Sequence, residues 1–313
     1  MNQMLDIAAI VLPVFIVMFL GNILRRAGMI DDGFIYQSNR LVFNISLPML
    51  LFYKIGTADF TTNFNGALLF GSALAILIGF GGSYAYAVIR HYPPAARGVF
   101  CQGAFRGNYA IIGLAVVLNA YGEAGLTRAG IFMGFIVPWL NFLAILALLA
   151  PHCDNGSPGL GYWTRQIAAN PLIGASFAGI FWSWLRLPIP VVLDRSMNIV
   201  TDLTLPLALL AIGAGFSLKN LKGDLKRATL ASVIKVALLP ILAGFILYAF
   251  GVRGLDFSVG ILMVGSPAAT VSYIMASQMK GDAELAGSII ILSTLFSIFT
   301  YSLTLYLLHV IGF

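Results

Sequence analysis

Asn44-Ile45-Ser46-Leu47-Pro48 recurs, residue class by residue class, as Asp202-Leu203-Thr204-Leu205-Pro206, 158 residues further along the chain. Pro13 with Pro171 and Gly21 with Gly179 keep the same offset, and Gly122-Glu123-Ala124 returns as Gly281-Asp282-Ala283 one residue beyond it. Where most positions are simply apolar, a near-constant offset across half the length marks a duplicated unit. The chain therefore reads as one unit written twice, residues 1–155 and 156–313.

Of the 313 residues, 59% are hydrophobic and 10% charged, and mean hydropathy is +0.92. That leaves too little polar surface for a soluble domain and predicts an all-α integral membrane protein. Apolar runs long enough to cross the hydrocarbon core as helices fall near Ile7–Leu24, Tyr36–Tyr53, Ala67–Ile89, Val99–Ala120, Ala129–Ala150, Ile167–Leu185, Met197–Leu218, Thr229–Phe250, Phe257–Met279 and Leu285–Ile311. This gives ten transmembrane helices, five per copy. Met1 to Asp6 carries no Lys or Arg, so the first run reads as a retained span and not as a signal peptide. The net charge of +6 sits in short loops between apolar runs, which argues against a nucleic-acid surface. Cys101 and Cys153 have no metal-ligand spacing around them, so neither a metal site nor a cofactor is expected.

Loop charges set the orientation. One side receives Arg25, Arg26, Arg40, Arg90, Arg97, Arg165, Lys219, Lys222, Lys226, Arg227 and Lys280, and the other only Lys54, Arg128, Arg186, Arg195 and Arg253. By the positive-inside rule the richer side is cytoplasmic, which places both termini outside the cytoplasm. An odd number of helices per copy makes the second copy enter from the opposite face. Inverted repeats of this kind supply the two similar half-structures from which alternating access arises.

Local signals locate irregular helix. A proline inside a helix removes one hydrogen bond and clashes with the carbonyl four residues back, here that of Asn44 or Asp202. Helix breaks are expected at Pro48 and Pro206, lining a hydrated cavity; the plainer alternative is a kink with Ser46 or Thr204 bonded back to the helix. In the fourth and ninth spans, Arg106-Gly107-Asn108-Tyr109 lies opposite Gly265-Ser266-Pro267-Ala268, helix-weakening residues near mid-span in both copies. Discontinuous helices there would aim half-helix N-termini at a bound anion, with hydroxyls from Ser266, Thr270 and Ser272. The alternative is that small and hydroxyl residues merely let helices approach closely.

Arg106, Asp202 and Lys235 are the ionisable residues well inside the spans, where charge is costly and functional by default. Arg106 suits a bidentate carboxylate clamp, or a structural snorkel. Asp202 either meets interfacial water, carries a proton, binds sodium or pairs with Arg106; with its counterpart Asn44 it is the candidate for ion coupling or gating. Lys235 is expected to snorkel toward the cytoplasmic loop. With no Ser/His/Asp or paired-carboxylate cluster in the spans, an enzyme is not expected, and a charged ring typical of a multimeric pore is missing too.

At these residues the chain resembles the auxin efflux carrier family, including its bacterial malate-permease-like members. The matching pieces are Leu12-Pro13, Gly21-Asn22-Ile23-Leu24-Arg25-Arg26 with Gly28-Met29-Ile30-Asp31, and Asn39-Arg40-Leu41-Val42-Phe43-Asn44 running on to Pro48. Gly107-Asn108, Pro267-Ala268-Ala269-Thr270-Val271-Ser272-Tyr273 and Gly281-Asp282-Ala283-Glu284-Leu285-Ala286-Gly287-Ser288 complete it. The resemblance implies a fold similar also to the bile acid sodium symporters, with broken fourth and ninth helices crossing at the substrate site. Helices 1, 2, 6 and 7 would form a scaffold against which helices 3–5 and 8–10 move, in an elevator-type exchange, and the protein would be a homodimer. By position, Asn108 matches the polar crossover residue and Pro267 the crossover proline. Arg106 departs from the small or apolar residue usual there, and Asn108 stands where a second crossover proline would. The function expected is secondary transport of a small organic anion, a mono- or dicarboxylate, in the inner membrane, with Arg106, Gly107, Asn108, Tyr109, Ser266, Pro267, Thr270 and Ser272 at the substrate. A sodium-coupled bile-acid-like symporter and a gated anion channel are the alternatives.

Overall fold

The computed structural model describes residues 2–58, 63–151, 171–216, 221 and 224–312. Arg165, Lys219, Lys222, Cys153, the start of the sixth expected span and the boundary between the two copies lie outside them. Every named element among the described residues is helical. Helix α1 (Asn2–Arg26) ends on Arg25 and Arg26, cations that complement the partial negative charge of a helix C-terminus. Helix α2 (Asp32–Leu41) starts at Asp31, whose carboxylate accepts the Phe34 N–H at 2.7 Å. A π turn, Val42–Ser46, joins it to α3 (Leu47–Gly56). Asn65 caps α4 (Gly66–Ile89) in the same way through the Leu68 N–H. Then come α5 (Pro94–Phe105), a π turn at Tyr109–Gly113, and α6 (Leu114–Leu149). The second half holds α7 (Pro171–Trp184), α8 (Val191–Gly215), and α9 (Leu225–Val233), which runs through a π turn at Ile234–Leu238 into α10 (Leu239–Ala249). It closes with α11 (Gly254–Val264), α12 (Val271–Gln278) and α13 (Ala283–Ile311).

Six stretches among the described residues are individually long and apolar enough to cross a membrane: Ala9–Arg26, Gly66–Ile89, Tyr109–Leu149, Val191–Gly215, Leu225–Ala249 and Ala283–Ile311. Part of the difference from ten has local causes. Expected spans four and nine are interrupted, leaving α5, α11 and α12 each too short alone. Gly122, at φ 59° and ψ −151°, splits the longest stretch into two arms, a backbone geometry that a side chain would resist. The start of the sixth expected span, residues 167–170, lies outside the described residues.

The two repeated prolines do not interrupt their helices. Pro48 sits in the first turn of α3, where its missing N–H matters least, and the preceding π turn reroutes the ladder so that the Leu47 N–H reaches the Val42 carbonyl. Helix α8 runs straight through Pro206, with Thr204 Oγ1 bonded back to the Val200 carbonyl at 3.2 Å. Both expected breaks are thus absorbed as local adjustments.

The most extensive helix pairings are α1 with α8 and α3 with α7. In the first, Gly21 lies directly against the Leu210 carbonyl; in the second, Gly179 lies against the Phe52 carbonyl. Gly21 to Gly179 and Phe52 to Leu210 are both steps of the sequence offset, so one contact is built twice with the roles of the helices exchanged. Close backbone approach at small residues is how helices gain dispersion energy in lipid, where apolar burial alone gives no preference for protein over tails. Around α5 gather α4, α6, α9 and α13, and α10 lies along α4 and α11.

Candidate functional site at the helix crossing

Helix α5 ends at Phe105, and Arg106 to Asn108 run extended before the Tyr109 turn opens α6. Helix α11 ends at Val264, Gly265 and Ser266 turn, and Pro267 to Ala269 run extended before α12. The two extended pieces cross antiparallel: the Asn108 N–H donates to the Pro267 carbonyl at 2.7 Å, and the Ala269 N–H to the Arg106 carbonyl at 3.1 Å. Each break thereby satisfies backbone groups freed by the other, which irregular backbone at membrane depth requires. The sequence provides for this locally. Pro267 has no N–H to lose, and a side chain on Gly107 would collide with the Tyr109 ring and Ser266 Oγ. From α13, Ser293 Oγ accepts the Ala268 N–H at 3.0 Å and ties the crossing to its neighbour.

The structure brings together most of the residues singled out in the sequence. Arg106, Asn108, Tyr109, Ser266 and Ser272 are buried there, and Thr270 is half-buried. Arg106 donates to Asn141 Oδ1 on α6 at 2.6 Å and contacts Met275 Sδ on α12. Both partners are neutral, and among the described residues no carboxylate faces the guanidinium; the four ion pairs are Arg25–Asp32, Lys54–Glu123, Arg128–Asp256 and Arg227–Asp224. Asn108 Nδ2, the Tyr109 hydroxyl and Ser272 Oγ are buried without a hydrogen-bond partner in the structure.

Asp202 and Asn44 lie elsewhere. Asp202 lines a cavity of about 260 Å³ between α1, α3, α6 and α8, together with Lys54, Asn119, Glu123 and Thr201. It makes no pair with Arg106. Asn44 is exposed and gives its Nδ2 to the Arg40 carbonyl at 2.9 Å, so it joins neither the cavity nor the crossing.

Residues 6–150 and 160–305 match the family model described as membrane transport protein. The chain belongs to this membrane transport protein family. A protein of Methanothermobacter thermautotrophicus named as an uncharacterized transporter is 26% identical over 92% of this chain and 94% of its own length. A protein of Rhizobium meliloti named as a candidate malonate transporter is 25% identical over 98% of this chain and 97% of its own. Auxin efflux carrier component 6 of Arabidopsis thaliana is 24% identical over 43% of this chain and 25% of its own. The family makes the chain a multi-pass membrane transporter and not an enzyme, and the likeness to auxin efflux carriers noted in the sequence is shown.

Within this transporter, sequence reasoning misses Asn141 and misplaces Lys235. Asn141 is the more legible, being an amide in an otherwise apolar stretch of α6. Lys235 departs from its expected place. It does not snorkel to a loop; its side chain is fully buried, and Nζ donates to the Val264 carbonyl at 2.5 Å. The π turn at Ile234–Leu238 carries it, and one residue added to a turn rotates the remainder of the helix by about 100°.

Proposed function

We propose that this transporter carries a small organic anion, a mono- or dicarboxylate of the malonate, malate or auxin-like kind, by alternating access in the inner membrane. The observation that carries the reading is Arg106, a buried cation at the crossing of two interrupted helices with neutral partners only. An unpaired charge at membrane depth is held at a cost of about 2.5–3.5 kcal/mol on insertion scales, and an arriving carboxylate offsets it. Gly107 and Pro267 let the two extended pieces pack against each other at the crossing, and Asn108, Tyr109, Ser266, Thr270 and Ser272 supply polar atoms. The helix N-termini that follow at Tyr109 and Val271 add positive dipole ends. The names of the relatives from Rhizobium meliloti and Arabidopsis thaliana are in keeping with this chemistry.

The architecture belonging to this reading is ten helices in two inverted repeats, both termini outside, working as a homodimer. The twofold use of the glycine–carbonyl contact at Gly21 and Gly179 supports it. Expected helices 1, 2, 6 and 7 then form the scaffold, represented by α1, α2, α3, α7 and α8, and the crossing belongs to the moving part. Asp202, in the cavity at the seam, is the group that would exchange a proton.

The test is flux into liposomes holding the purified protein, across malonate, malate, indole-acetate and taurocholate, with pH, sodium and potential varied separately. Saturable, gradient-driven uptake of a small carboxylate is expected, and Asn108→Ala lowers it about tenfold, the loss of one hydrogen bond to a charged group. Absence of uptake for all four would sink the reading. Currents that never saturate would replace the carrier with a channel, and sodium-driven taurocholate uptake with a bile-acid-like symporter.

The same reading gives the seam a mechanical role. Lys54 on α3 and Glu123 beside the Gly122 bend pair at 2.7 Å, and Asn119 Nδ2 donates to the Ile10 carbonyl of α1 at 3.1 Å. Both contacts join scaffold to moving part. Lys54→Glu or Glu123→Lys alone places like charges across the seam and lowers uptake by about threefold to tenfold, and the double reversal restores it. Equal loss in the double variant would remove the pair from the mechanism.

A further inference from the structure

Lys235 carries a buried Nζ for which substrate binding at Arg106 has no use. It donates to the Val264 carbonyl, the last of α11, and Nζ stands 5.9 Å from the centroid of the Tyr109 ring, the first residue beyond the other break. It therefore touches both interrupted helices at once.

The last four carbonyls of a helix have no partner inside it, and at a helix end buried in a membrane each needs one. At α11 all four are accounted for. The Ile261 carbonyl accepts the Gly265 N–H at 2.8 Å, the Met263 carbonyl the Ser266 N–H at 3.1 Å, the Leu262 carbonyl the Tyr301 hydroxyl at 3.3 Å, and the Val264 carbonyl the Lys235 ammonium at 2.5 Å. The negative end of a half-helix, lined with carbonyl oxygens, is where a dissociable monovalent cation would bind in such a protein. Here the outermost oxygen is taken by a cation on a four-carbon tether, and the Tyr109 ring faces the same ammonium.

We propose that Lys235 is the resident cation of the crossing, a positioning residue whose ammonium holds the α11 end against Tyr109 in the place of a dissociable monovalent cation. Substrate flux then needs no sodium at the crossing, and removing the ammonium creates a requirement for an added cation that the wild-type protein lacks. The inference rests on the transport reading for its flux arm alone.

The experiment compares wild type, Lys235→Ala, Lys235→Met and Lys235→Arg in choline, sodium and ethylammonium chloride, by thermal melting in detergent and by malonate uptake in liposomes. Wild type is expected to melt and transport alike in all three salts. Lys235→Ala is expected to melt lower in choline by about 5 °C or more and to lose at least about tenfold in uptake, with ethylammonium or sodium restoring both. Lys235→Arg retains wild-type behaviour. Lys235→Met fills the stem space without charge, so it decides the matter if the alanine variant does not fold: it too is expected to gain the cation requirement. A wild-type protein that needs sodium, or truncated variants that melt identically in all three salts, would overturn the proposal. Should malonate not be carried at all, the transport reading fails while the melting comparison still decides the role of Lys235.

Discussion

Arg106→Ala is expected to reduce the proposed carboxylate uptake to about one hundredth of the wild-type rate or less, a bidentate pair to a charged group being about twice the 1.5 kcal/mol or more of a single such hydrogen bond. The same substitution leaves the melting temperature within a few degrees of wild type. The two expectations have one origin. The guanidinium is buried against Asn141 Oδ1 and Met275 Sδ, neutral groups that only partly replace water. Alanine relieves that penalty, but it leaves the Asn141 oxygen unpaired and a void beside Met275, each costing about 1–3 kcal/mol. Gain and loss nearly cancel in the folded protein. They would not cancel in carboxylate binding, because among the described residues nothing else near the crossing supplies a matching fork. Lys235 cannot substitute, because its ammonium is committed to the Val264 carbonyl. Arg106→Lys keeps the charge and loses the fork, so it falls between wild type and alanine. Uptake and melting are measured on one preparation. Uptake that survives alanine would detach Arg106 from the substrate, and a large fall in melting temperature with it would make the residue a structural one.

How much of the fold and the crossing was legible in the sequence depends on how local the backbone chemistry is. The interruptions around Arg106-Gly107-Asn108 and Ser266-Pro267-Ala268 could be read because glycine and proline act on their own φ and on their own N–H, wherever the rest of the chain lies. The internal echo also pointed to a real contact, since Gly21 and Gly179 meet carbonyls that are themselves one offset apart. Pro48 and Pro206 show the limit. Proline removes one hydrogen bond, and a helix can absorb that by a π turn, as before α3, or with little disturbance, as in α8. Which of these occurs depends on neighbours distant in sequence. Lys235 escaped for a related reason: a helical wheel assumes constant rotation per residue, and the π turn at Ile234–Leu238 breaks that assumption at the residue itself. The cavity holding Asp202, Lys54 and Glu123 is assembled from α1, α3, α6 and α8, so pairing Asp202 with its sequence equivalent Asn44 gave no guide to its partners.

Gly213→Val is expected to prevent accumulation of folded protein, because the atom it would meet belongs to backbone. A Cβ at Gly213 would overlap the carbonyl of Met18 on α1, and one at Gly21 the carbonyl of Leu210 on α8. A side chain in the way can change rotamer, but a helix carbonyl can move only if its helix moves. Overpacking in a core usually costs about 1–3 kcal/mol when side chains absorb it; here relief requires separating α1 from α8, one of the two most extensive pairings in the protein. In lipid such a separation forfeits dispersion contacts that the tails do not fully replace. The clash distances predict a graded series. Gly213→Val and Gly21→Val should be the most severe, with membrane accumulation at least about fivefold below wild type. Gly179→Val, whose Cβ would stand 3.0 Å from the Phe52 carbonyl, should be recoverable but melt lower. Gly81→Val, with nothing within 4 Å of the new Cβ, should match wild type. Accumulation of a fluorescent fusion in membranes, followed by melting in detergent, ranks the four. A Gly213→Val protein that accumulates and melts like Gly81→Val would show that α1 and α8 are not held at the separation found here. The milder loss expected of Gly179→Val also separates the two copies of this contact: α3 and α7 approach less closely than α1 and α8, so an added Cβ meets a tight contact in one copy and a backbone overlap in the other.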